Sequence, residues 1–279
     1  MFLMFALLTP LQEGKEVVSD RVTAAPKIDG AAAAAAWQDA PGLEITVARP
    51  LPPDKGKSTQ VILKSVHTDT HVCFLVRWQD ETKDDAAHKP WTWSAEKNAY
   101  VEGPQREDMF AFAFELSGEF DADMLSGKEA TWDVLQWKAS RTNPQGYAMD
   151  RTHRYTRAKP EGKAKAHKDR GGKEIWIARG EDAGDTVEKK QPAPKEKGEA
   201  NVPQYLPGTP TGSAADVRAK GTWADGWWTL ELERKLDTGH EDDTRFDTGR
   251  AYKMAISAHD RTGDMDKASD VLKLRFRGK

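Results

Sequence analysis

The chain has 279 residues, 38% hydrophobic and 31% charged, with Lys+Arg 42 against Asp+Glu 45 and a net charge of −3. That length holds one large or two small domains, and without a basic excess or a nucleic-acid motif there is no case for binding DNA or RNA. A single cysteine excludes an intramolecular disulfide and a Cys-x-x-Cys-His haem attachment, whereas ten tryptophans suggest aromatic pocket walls as well as core.

Residues 2–8, FLMFALL, form an apolar run before Pro10. The run is too short to span a bilayer as a helix. It is similar to the apolar region of an export signal, though it lacks a basic start and an A-x-A site. Residues 1–16 are therefore read as a signal or N-terminal tail, and 17–279 as one domain. Asp29-Gly30 marks a turn, and the six alanines after it predict one helical turn that lets Trp37 plug one end of the fold.

Four strands are predicted next, at Leu43–Ala48, Gln60–His67, His71–Gln79 and Asp108–Leu116. His67 and His71 flank Thr68-Asp69-Thr70, so they bracket a hairpin and their spacing is a weak zinc signal. Cys73 lies in the apolar run HVCFLVRW and reads as a buried, inert thiol. Residues 81–107, with His88, Trp91 and Trp93, read as a polar loop over a ligand or over the sheet. Phe110, Phe112 and Phe114 share one face of a core strand.

The stretch from Met124 to Asp150 organises the rest. A turn at Ser126-Gly127 leads into the strand WDVLQWKA, which carries Trp132, Val134 and Gln136 on one face and Asp133, Leu135 and Trp137 on the other. Large apolar groups on both faces mean burial on both sides or a pocket wall. A loop with Arg141, Asn143, Pro144 and Gly146 follows. From 157 to 219 the composition turns to Lys, Glu, Gly and Pro, which reads as a polar insertion with one ordered strand around Trp176. Strand-like sequence resumes at Trp223 and continues through Ala251–Asp260 and Val271–Arg275. Many short strands and no long amphipathic helix predict an all-β antiparallel β-sandwich with short helical turns.

The Met124–Asp150 stretch resembles the haem-b-binding gamma subunits of ethylbenzene dehydrogenase, dimethylsulfide dehydrogenase, and selenate and chlorate reductases. The shared elements are Met124, Gly127, Asp133, Trp137, Lys138 and Ala139, then Arg141, Asn143, Pro144, Gly146 and Asp150; Leu135 and Gln136 stand where a Trp-His pair is common. Ile28, Asp29, Gly30 and Trp37 match a start shared with family 9 carbohydrate-binding modules, and Arg234 and Leu236 match a further R-x-L.

The resemblance implies an exported, periplasmic electron-transfer subunit that is no enzyme itself and no integral membrane protein. It would hold one non-covalent haem b and pass electrons to molybdenum and iron–sulfur enzyme subunits or a c-type cytochrome. The implied axial pair is Met124 and Lys267, with Met265 or His259 as alternatives for the second position, and Trp137, Lys138, Arg141 and Asn143 beside the haem. A ligating lysine must be neutral, which needs desolvation. His153 or Arg141 is placed to reach a propionate. Two other readings stay open: a carbohydrate-binding module with Trp91, Trp93, Trp227 and Trp228 as a stacking platform, and a ligand-free interaction domain. Asp80, Asp108 and Asp260 are a candidate structural Ca²⁺ set. No G-x-S-x-G, Walker A or G-x-G-x-x-G motif is present.

Overall fold

The computed structural model describes residues 15–48, 57–261 and 267–278. The implied signal and Met265 lie outside the described residues. In chain order the first strands are β1 (Glu16–Arg21), β2 (Leu43–Ala48), β3 (Ser58–His67), β4 (His71–Gln79), β5 (Trp91–Ser94), β6 (Ala99–Glu102), β7 (Met109–Gly118), β8 (Ala130–Lys138) and β9 (Met149–Thr156). There follow β10 (Lys165–Lys168), β11 (Glu174–Arg179), β12 (Glu188–Lys190), β13 (Asn201–Val202) and β14 (Tyr205–Pro207). The chain closes with β15 (Arg218–Ala224), β16 (Trp227–Lys235), β17 (Ala251–His259), β18 (Lys267–Ala268) and β19 (Leu272–Arg277). One short α-helix, α1 (Ala35–Asp39), and two single-turn 3-10 helices, Asn143–Gln145 and Gly212–Ala215, are present among the described residues. None of their helices is long and apolar enough to cross a membrane.

The strands form an antiparallel β-sandwich. One layer runs β10-β11-β9-β8-β7-β17, and the other β2-β3-β4-β16-β15. They are joined at the edges by β18 and by β1, which pairs in parallel with both β19 and β3. Alternation turns one face of every strand inward, and aromatic rings fill the space between: Phe74 meets Phe112 at 5.0 Å, Trp78 meets Phe110 at 5.0 Å, and Trp137 meets Trp228 at 5.0 Å. Burial of this aromatic and aliphatic set is the main force holding the layers together.

Three expectations need correction. Trp37 does not plug an end; it covers the outer face of β3 and β4 against Val66, Cys73 and Leu75, with its Nε1 donating to Glu231 Oε1 at 2.7 Å. Residues 81–107 contain a real hairpin, β5–β6, whose turn uses Asn98 at φ 48°, a conformation Asn tolerates. The 157–219 region holds β10 and β12–β14 besides the expected strand at Trp176. β10 and β13 pair onto existing edges (β10 on β11, β13 on β5), whereas β12 and β14 pair with each other as a separate two-stranded sheet.

Candidate functional site

The β11-β9-β8-β7-β17 layer carries a second apolar cluster on its outward face. Phe120, Trp132, Val134, Tyr155, Ile175, Ile177 and Ala255 are buried there, with Met124, Leu125, Ala111, Ala113 and Val271 packed against them. Register explains the shape. Ala113 faces Ala255 and Ala111 faces Ser257 across β7 and β17, so four small side chains form a floor. Val134 and Gln136 of β8 stand along one side of it, and the β7–β8 loop brings Met124 over the cluster. Around Trp132, rings pack at 5.0 Å (Phe120) and 4.2 Å (Tyr155).

This face also holds polar groups that are buried and unbonded: Trp132 Nε1, Arg151 Nε and His153 Nε2. Buried donors and acceptors are nearly always paired, so three orphans beside one apolar floor distinguish it from ordinary surface. Burial, reinforced by Arg151 and Arg179, holds His153 well below the usual histidine range, so it is neutral. Met124 Sδ lies 3.9 Å from Arg179 Nη2.

Lys267 is elsewhere. Its register partner is Ala258, whose side chain belongs to the sandwich interior, and its Nζ donates to Thr59 Oγ1 at 3.3 Å. The structure thus does not bring Met124 and Lys267 together. His259 is buried at the end of β17 opposite Met109, with Nε2 3.0 Å from Ser257 Oγ. Near Lys267, the oxygens of Asp80, Asp108 and Asp260 lie within 4.8 Å of one another. Asp108 accepts from Trp228 Nε1 (3.0 Å) and the Asp84 N–H (2.8 Å), so N–H donors already occupy it. Burial pushes Asp80 up to about 6 and Asp108 up to about 7.

The Arg141–Gly146 loop is a structural junction. Trp137 Nε1 donates to Asn143 Oδ1 at 3.1 Å, and Asn143 exchanges bonds of 2.8 and 3.0 Å with the Gly221 backbone. Lys138 is buried on Glu188 at 2.8 Å, and burial pushes its ammonium down to about 8. Arg141 pairs with Glu107 and, at 3.1 Å, with Glu188, and its guanidinium stacks on Tyr205 at 4.6 Å. These groups line or underlie a cleft of about 260 Å³ that also includes His88. Burial and the Arg141 charge push His88 down to about 3. All four loop-region residues are engaged within the fold itself.

The tryptophans do not form one platform. Trp228 is buried against Trp78 and Trp137. Trp91 and Trp93 sit on the β5–β6 hairpin, and Trp227 lies at the other sheet's rim, 5.5 Å from the Arg77 guanidinium. Sequence reasoning missed the small-residue floor. Its signal was the alanines at 111 and 113 between the three Phe of β7, and the pairing of 255 and 257 with them was not legible.

A β-sandwich with an apolar, partly orphaned outer face is thus the class defined by fold and site. The sequence profile described as ethylbenzene dehydrogenase matches residues 34–269, and the chain belongs to that family. No curated protein matches the chain. Among solved structures, a candidate carbohydrate-binding protein from Bacteroides uniformis is 10% identical, with 95% of this chain and 100% of that chain covered and a TM-score of 0.46. A family 9 carbohydrate-binding module from Caldicellulosiruptor kristjanssonii, in complex with glucose, is 10% identical over 95% of this chain and 97% of that one, with a TM-score of 0.40.

Proposed function

We propose that the chain is a haem b-binding electron-transfer subunit of an exported respiratory redox system, with the haem lying on the outer floor of Ala111, Ala113, Ala255 and Ser257. The observation that carries this reading is the juxtaposition of a flat small-residue floor, the Met124 thioether and three unbonded polar atoms on one sheet face. Cofactor sites are mostly apolar with a few placed polar groups. Bound there, the haem supplies one-electron redox chemistry, and the protein tunes it through ligand identity and burial.

Met124 would hold the haem iron through its thioether. Lys267 is the second ligand that family resemblance indicates, and reaching the floor requires it to leave Thr59. His153 is the second ligand that geometry favours, because it shares the face of Tyr155 and its Nε2 is unbonded and neutral. Arg151 and Arg179 place guanidinium groups where carboxylates of a ligand would be held. The partners under this reading are molybdenum and iron–sulfur enzyme subunits or a c-type cytochrome in the periplasm.

The test is an absorption spectrum of protein exported into a haem-sufficient periplasm, oxidised and then dithionite-reduced. A Soret band with sharpened reduced α and β bands is expected, and Lys267→Ala and His153→Ala identify which second ligand it depends on. Colourless protein that also fails to take up added haemin contradicts the proposal.

A further inference from the structure

Away from the outer floor, the sandwich interior holds a dense group of acids. Asp133 on β8 and Asp150 on β9 both face inward, and Asp243 comes from the loop after β16. One carboxylate oxygen from each lies within 4.8 Å of the others. All three residues are at most 4% exposed. Asp182 adjoins them, its N–H donating to the Asp150 carbonyl at 3.4 Å.

Among the described residues Arg234 is the buried cation of the group, and at its edge His240 Nδ1 lies 3.9 Å from Asp243 Oδ2. Arg234 donates to Asp133 Oδ2 and to the Thr244 carbonyl, and lies 3.5 Å from Asp243 Oδ1. Asp133 Oδ2 also takes the Thr244 N–H at 2.8 Å. Asp133 Oδ1, both oxygens of Asp150, Asp182 Oδ2 and Asp243 Oδ2 are buried without a hydrogen-bond partner. Asp150 is 2% exposed with its whole carboxylate unpaired inside the group. With all four carboxylates ionised, one guanidinium would leave a charge of about −3, which a low-dielectric interior does not tolerate uncompensated; burial accordingly raises Asp150, Asp182 and Asp243 above the usual carboxyl range. The other acid groups differ, since Asp108 is filled by N–H donors and the Asp216–His240 pair, at 2.6 Å, is partly exposed.

We infer that Asp133, Asp150, Asp182 and Asp243 form a buried binding site for a divalent cation, with Ca²⁺ as the ion its chemistry selects. The free donors are all carboxylate oxygens, which suit a hard cation and exclude one that prefers sulfur or imidazole. Oxygens on opposite sides of a Ca²⁺ at about 2.4 Å are about 4.8 Å apart, and one oxygen each of Asp133, Asp150 and Asp243 lies within that limit of the other two. The ion ties β8 and β9 to the loop after β16, so its role is structural. The site is independent of the haem floor, and neither reading needs the other.

The test uses the full chain, treated with EGTA and titrated with CaCl₂ at pH 7.5 by calorimetry and by thermal melting. Binding of one Ca²⁺ per chain is expected, with Tm raised by about 5–10 °C at roughly 100 times the Kd, and a much smaller response to MgCl₂. Asp150→Asn keeps the side chain's shape and relieves charge, so it should fold and lose the Ca²⁺ response. Asp182→Asn should weaken it at least tenfold. A wild type with no heat of binding and no Tm shift, whose stability instead rises on acidification from pH 7.5 to 5, means that protons neutralise the group and overturns the inference. Calcium binding undiminished in Asp150→Asn also overturns it.

Discussion

Asn143 accepts the indole N–H of Trp137 at 3.1 Å while bonding both ways to the Gly221 backbone, so one amide joins β8 to β15 at the edge of the core. Trp137 and Gly221 are both buried, and Asn143→Ala strands an indole N–H, a backbone N–H and a carbonyl together. Each orphan costs about 1–3 kcal/mol. The expected result is a loss of roughly 3–5 kcal/mol in urea unfolding with haemin affinity unchanged per folded molecule. A stable variant with weakened haemin binding would return Asn143 to a ligand-contacting role.

Gly221 gives a second, independent probe of this junction. A Cβ there would stand 2.5 Å from Trp137 Cζ2. Gly221→Ala should destabilise by about 1–3 kcal/mol through overpacking, read as a lower urea midpoint at an unchanged slope. Stability equal to wild type would mean that the Trp137 ring yields freely.

Burial raises Asp108 from the ordinary carboxyl value of 3.8 to about 7 in the folded chain. Between those values the native state holds a proton that the unfolded state has lost, so this residue's contribution to stability falls as pH rises from about 4 to about 7. Asp108→Asn cannot ionise. Its stability relative to wild type should therefore improve between pH 4 and pH 8, by on the order of 3 kcal/mol shared with Asp80. A difference that stays constant with pH would contradict the raised value.

Met124→Leu separates packing from ligation. The two side chains have similar volume, and swaps of this kind usually cost less than about 1.5 kcal/mol. The thioether, however, is lost. The variant should melt within a few degrees of wild type, while its reduced haem spectrum loses the sharp low-spin bands or its haem. Unchanged bands would remove Met124 from the axial position.

Much of the fold was legible because alternation is a local signal. β2 and β4 fall at Leu43–Ala48 and His71–Gln79 as read from the sequence, and the inward Phe residues of β7 define the core side. What alternation cannot give is the partner. That Ala113 faces Ala255, or that Asp150 meets Asp243, depends on pairing across more than 90 intervening residues. The polar strands β10 and β12–β14 were missed for the same reason, since β10 and β13 depend on the edges they join and β12 and β14 on each other. Arg141, Lys138 and Asn143 were recognised as special but given outward roles, whereas Glu107, Glu188 and Gly221 hold them within the fold.

If haem lies on the floor of β7 and β17 as proposed, Ala113→Phe should block it. Ala113 is partly buried on the outward face, so the larger ring fills the floor without entering the sandwich core. Haemin titration of wild type and variant, followed at the Soret band alongside circular dichroism, reads binding and folding together. A folded variant whose haemin affinity falls at least tenfold is expected. A folded variant that binds haemin as tightly as wild type would contradict it.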